Sequence, residues 1–118
     1  MLTKSNARAY AILALLIGEL QEEELEKLIV QPYINGRENG FYVRFLYVED
    51  PPRDSPAVVF ARDRRSDQTV IYVGKSIDFS MQGNIPSEEV YKKKKLYSSL
   101  RPVEAMQFIF DTLHARQG

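Results

Sequence analysis

Phe41-Tyr42-Val43-Arg44-Phe45-Leu46-Tyr47-Val48 is the stretch whose reading decides the fold. Successive side chains of a strand point to opposite faces, so Phe41, Val43, Phe45 and Tyr47 fall on one side and Tyr42, Arg44, Leu46 and Val48 on the other. Both sides are largely apolar. The same holds at residues 57–62, where Val59 and Ala61 oppose Val58 and Phe60, and at 69–74, where Ile71 and Val73 oppose Val70 and Tyr72. Asn35-Gly36 and Asn39-Gly40 are turn signals ahead of the first run, Asp50-Pro51-Pro52 closes it, and residues 64–68 form a polar turn between the other two. These signals predict an antiparallel meander of three strands, with Ile77 and Phe79 able to add a fourth. An antiparallel sheet with one wet face shows polar residues at alternate positions. This one does not, so both faces need a cover, from helices of the chain or from another chain.

Upstream, Ser5 or Asn6 is placed to cap a helix that the apolar spacing carries to about Gln31, where Pro32 stops it. Leu13, Leu16, Ile17 and Leu20 share one face of that helix, whereas Leu25, Leu28 and Ile29 lie on a face rotated away from it. Lys4 and Arg8 precede the apolar run at residues 9–17, but nine residues are too few to cross a bilayer, which takes about 20. A core helix is therefore expected there. Downstream, Ser87 with Glu88 and Glu89 opens a short helix through the lysine run. Pro102 and Glu104 open a last one, whose Val103, Met106, Phe110 and Leu113 repeat at helical spacing with Ile109 beside them. The expected fold class is α+β: a long N-terminal helix, an antiparallel meander of three or four strands and C-terminal helices, in a single domain over residues 1–118.

Composition narrows the function. A chain of 118 residues, 44% hydrophobic and 27% charged, has the balance of a globular protein. Sixteen basic and sixteen acidic side chains cancel, so no whole-molecule field draws the protein to nucleic acid or to an anionic membrane. Cysteine is absent and His114 is the one histidine. That removes disulfides, thiol catalysis and cysteine- or histidine-rich metal sites, and it fits a cytoplasmic protein with no cofactor.

Tyr72-Val73-Gly74-Lys75 resembles the second signature of the GIY-YIG nuclease family, in which two strands carry tyrosines, a helix supplies an arginine and a later glutamate holds a metal. The preceding Ala57-Val58-Val59 lacks the glycine and tyrosine of the first signature, and no arginine stands between Arg65 and Arg101. Tyr72 is accordingly read as a packing aromatic. The order of helix, three antiparallel strands and helix also resembles the double-stranded RNA-binding domain, whose last helix opens with lysines that reach phosphates. Lys92, Lys93, Lys94 and Lys95, with Arg101, Tyr91 and Tyr97 nearby, form the local cationic patch that such binding would use.

His114 sits where an imidazole meets a helix C-terminus. Asp63, Asp67 and Asp78, with the acidic helix residues, are candidates for an acid and base pair, but no spacing places two of them together, and most are expected to be exposed. No residue is assigned a catalytic role. The surplus of apolar surface points to a non-enzymatic protein-binding or self-associating module, expected as a homodimer or docked to a protein partner, with Leu25, Leu28 or Ile29 in the contact. The alternatives are nucleic-acid binding through residues 92–95, or an enzyme with a dispersed site.

Overall fold

The computed structural model describes residues 4–46, 54–80, 82–97 and 100–115. Its elements run α1 (Lys4–Glu19), α2 (Glu22–Leu25), β1 (Leu28–Asn35), β2 (Glu38–Phe45), β3 (Pro56–Asp63), β4 (Gln68–Lys75), a 3-10 turn (Ser76–Asp78), α3 (Glu88–Lys92), β5 (Lys95–Tyr97) and α4 (Pro102–His114). The strands make one antiparallel sheet in the order β1-β2-β3-β4-β5. The class is α+β, as the alternation implies. Tyr47, Val48 and the stop at Asp50 to Pro52 lie outside the described residues.

Two strands were hidden from the pattern. The first helix ends at Glu19, within which Ser5 and Asn6 already lie, and Leu28-Ile29-Val30 begins β1 instead of extending it. A short apolar run suits either element, and here β-branched residues and pairing with β2 decide for the strand. The chain turns at Gly36, whose φ of 59° is the left-handed geometry of a two-residue hairpin. Asn39-Gly40 is no turn but the interior of β2. A Cβ at Gly40 would lie 1.9 Å from the Phe60 carbonyl oxygen, so glycine is required by the close approach of β3. The fifth strand takes Lys95 out of the expected lysine helix, which stops at Lys92. Ile77 and Phe79 do not add a full strand: Ile77 is in the 3-10 turn and Phe79 makes one isolated bridge to Pro86.

Each sheet face carries its own core. On one side Val43, Phe45, Val58, Phe60 and Ile71 meet Ile12 and Leu16 of α1 and Ala105, Met106, Ile109 and Leu113 of α4. On the other, Tyr33, Tyr42, Val59, Val70 and Tyr72 are roofed by Phe79, just after the 3-10 turn, and by Val90 of α3. Over β2, β3 and β4 both faces are thus covered within the chain. Among the described residues no helix is long and apolar enough to cross a membrane.

The sheet's edges are blunted. The two-residue hairpin makes Asn35 and Glu38 a hydrogen-bonded pair, so the even residues of β1 turn their N–H and C=O groups outward. Pro32 has no N–H to offer, and Asn84 donates its side-chain N–H to the Pro32 carbonyl at 3.1 Å. At the far side β5 spans three residues. Both devices discourage strand addition.

His114 does cap α4: its Nδ1 is 2.7 Å from the Phe110 carbonyl, and its Nε2 contacts a carboxylate oxygen of Glu24. Glu24 is thereby drawn out of the solvated Glu22-Glu23-Glu24 run. Burial alone would lower the His114 pKa, but the hydrogen bonds to Glu24 and Phe110 outweigh it and raise it. The Glu24 pKa is lowered by the Gln21 backbone N–H and by His114.

Two outcomes follow from this packing. Ile109 is fully buried while Phe110 is half-buried and Val103 is 50% exposed, so Ile109→Ala should cost about 2–5 kcal/mol by chemical denaturation and Phe110→Ala less than its size implies. A raised histidine pKa stabilises below its unfolded value and fades as pH climbs through the folded one; a lowered glutamate pKa stabilises above its unfolded value and fades on acidification. The excess stability of the natural chain over His114→Gln should therefore peak between about pH 4.5 and 6.5. For so exposed a pair it should be about 1 kcal/mol or less, vanishing in alkali.

Candidate functional site

Two concave surfaces stand out, one on each side of the sheet. The first is apolar. Helix α1 packs over β2 and β3, and α4 over β3, which leaves the helical side of β1 open. By register Val30, Pro32 and Ile34 share that side with Phe41 and Val43. Ile34 is 67% exposed and Val30 36%. Opposite them, Tyr10 of α1 meets the Phe41 ring edge-on at 5.0 Å and remains 40% exposed. Seven residues on, along the same helix face, Ile17 is also exposed. Tyr10, Pro32, Ile34 and Phe41, with the polar Asn39 at the hairpin end, line a groove of 310 Å³. Helix and edge strand thus form the two walls of an apolar trough.

The second surface is polar and lies at the hairpin end of the other face. Glu38 and Asp63 are cross-strand partners there, both buried. Like charges directly opposite one another destabilise a sheet, and the chain compensates each separately. Asp63 receives the Arg37 Nε–H at 3.0 Å and the backbone N–H groups of Arg65 and Ser66. These bonds outweigh burial, which alone would raise its pKa, and leave it lowered. Glu38 takes the Tyr33 hydroxyl at 2.7 Å and the Tyr72 hydroxyl at 2.8 Å, with no cationic side chain paired to it among the described residues. Burial, and then the bond to Glu38, push both tyrosine pKa values well above the ordinary range. Both hydroxyls therefore stay protonated and act as fixed donors.

Above these carboxylates opens a cleft of 410 Å³, with Arg37, Arg65, Lys94 and Tyr91 at its rim. The Tyr91 ring stacks on Tyr72 at 5.9 Å and is 45% exposed; the Lys94 ammonium lies 4.7 Å from its centroid. Among the described residues no three His, Asp or Glu side chains gather as metal ligands would.

The residues singled out from sequence are scattered across these surfaces. Leu25 and Leu28 are half-buried against the helical-side core, and Ile29 is half-buried on β1. The lysine run is split. Lys92 pairs with Glu88 at 3.3 Å, Lys93 is exposed, Lys94 joins the cleft, and Lys95 turns to the helical side, over the Phe108 ring. Arg101 pairs with Glu104 at 3.7 Å, outside the cleft. Asp63 is among the acidic residues that are buried, because the β3-β4 turn wraps its carboxylate. Asp67 is exposed and pairs with Arg62, and Asp78 accepts the Lys75 N–H at 2.8 Å. Tyr72 packs as read, but its hydroxyl has a second task. Tyr33, Arg37 and Glu38 carried no signal, since nothing in their spacing announces that β4 will bring Tyr72 across to them.

Compared with protein-family models, curated proteins and solved structures, the chain matches none.

Tyr72→Phe and Tyr33→Phe should each cost about 1.5–3 kcal/mol in denaturant, the scale of a buried hydrogen bond to a charge. Because both donors serve one carboxylate, the double substitution should depart measurably from the sum of the two. Additivity would mean that Glu38 does not couple them.

Proposed function

We propose that the protein is a non-enzymatic binding module that self-associates through the trough between α1 and β1. The observation that carries this reading is Ile34, 67% exposed beside Tyr10 over a 310 Å³ apolar groove. Apolar patches of this kind commonly mark interfaces. For one small chain the simplest occupant is a second copy, in which the same patch meets itself about a twofold axis. The blunted edge of β1 supports packing by side chains over strand addition. The contact thus centres on Tyr10, Ile17, Val30 and Ile34, since Leu25 and Leu28 spend much of their apolar surface inside their own chain.

The absence of a reaction in this reading rests on the Glu38 cluster. A general base needs a carboxylate free to take a proton, whereas the Glu38 and Asp63 oxygens already accept from tyrosines, Arg37 and backbone. The lack of cysteine supports a cytoplasmic setting.

Light scattering coupled to size exclusion, at micromolar concentration, should give twice the chain mass of 13.6 kDa. Ile34→Glu, at a site too exposed to disturb folding, should return the mass to that of one chain. A natural protein already at 13.6 kDa, or a dimer indifferent to Ile34→Glu, would overturn the assignment.

A further inference from the structure

The polar cleft has chemistry that self-association does not use. Its two carboxylates are already committed as acceptors, one to tyrosine hydroxyls and the other to Arg37 and the β3-β4 turn. Its cations are not balanced in the same way. Arg65 and Lys94 have no carboxylate partner among the described residues, and Arg37 engages Asp63 through Nε while 48% of its side chain stays exposed. Three cationic heads from three segments therefore surround one cavity. Beside them stands Tyr91, stiffened from behind by its stack on Tyr72, 45% exposed and met by the ammonium of Lys94 at 4.7 Å from its centroid.

An anion alone would leave that ring idle, and an apolar ligand would leave the cations idle. A ligand carrying both a phosphate and a flat π-system satisfies both. We propose that the cleft binds one nucleotide unit, its phosphate held by Arg65, Lys94 and the outer nitrogens of Arg37, and its base laid on Tyr91. In that exchange the Lys94 ammonium leaves the ring for the phosphate. At 410 Å³ the cleft has the size of a small-molecule pocket, enough for one unit and not for a duplex. Because the chain is neutral overall, recognition comes from this local group and not from a long-range field.

Isothermal titration of the full chain at low salt tests this with adenosine monophosphate, inorganic phosphate, adenosine and a single-stranded hexanucleotide. Adenosine monophosphate or the hexanucleotide should bind at least tenfold more tightly than phosphate or adenosine alone. Whichever of the two binds tighter identifies a free nucleotide or a strand as the source. Arg65→Ala, in an exposed turn, should weaken binding at least fivefold with the fold unchanged. Tyr91→Leu should weaken it about tenfold, the scale of one base stacked on an aromatic ring. For the hexanucleotide, log affinity should fall with log salt at a slope of about −2, as three phosphate-contacting cations require. The proposal fails if neither nucleotide ligand binds at millimolar concentration, if phosphate binds as well as adenosine monophosphate, or if Arg65→Ala changes nothing.

Discussion

A sheet that is apolar on both faces has to be roofed twice, and the rest of the molecule is arranged around that requirement. Neither face of β3 has a polar residue between Ala57 and Ala61, and all five of these side chains are buried. Water on either side would expose Val58 and Phe60 or Val59 and its neighbours. The chain gives the two long helices, α1 and α4, to one face. The other is left to a shorter and more irregular cover, a 3-10 turn and a five-residue helix.

The unequal roofs explain where the concave surfaces fall. On the helical face α1 packs on β2 and β3 and α4 on β3, so β1 lies beside them and its helical side stays open from Val30 to Ile34. On the opposite face the short cover reaches the sheet through Phe79, Val90 and Tyr91 and stops near the hairpin end, where the Glu38-Asp63 pair lies. A pair of like charges survives there because each has its own partners, and those partners bring Arg37, Arg65 and two tyrosines to one place. Electrostatic repair of the sheet thus creates the polar cleft.

How much of this could be read in the chain depended on the range of the signal. Strands β2, β3 and β4 were legible because their apolar residues fill both faces between strong turn residues, and α4 because Pro102, Glu104 and the repeat of Met106, Ile109 and Leu113 agree. Strand β1 was not, since seven residues from Leu25 to Gln31 fit a helix as well as a strand until β2 pairs with them. Asn39-Gly40 misled for a related reason: glycine there answers to the backbone of Phe60, twenty residues on, and not to a local turn. The candidate sites were the least legible part. Tyr33 and Glu38 meet Tyr72 only through three successive strand registers, and the lysine run looked like one patch because nothing local reveals that β5 turns Lys95 to the opposite side.

The guard on the β1 edge has a schedule. Asn84 stands 52 residues after the Pro32 carbonyl that it occupies, while β1 and β2 are joined by a two-residue turn and can pair as soon as both exist. A ribosome adding about 5–20 residues each second leaves several seconds between the making of that hairpin and the making of its guard. During this interval the outward carbonyl of Pro32 is unprotected, and the proline alone, through its missing N–H, interrupts the edge. Pro32 is thus the early safeguard against mispairing between nascent chains and Asn84 the late one, two residues dividing one protective task over time.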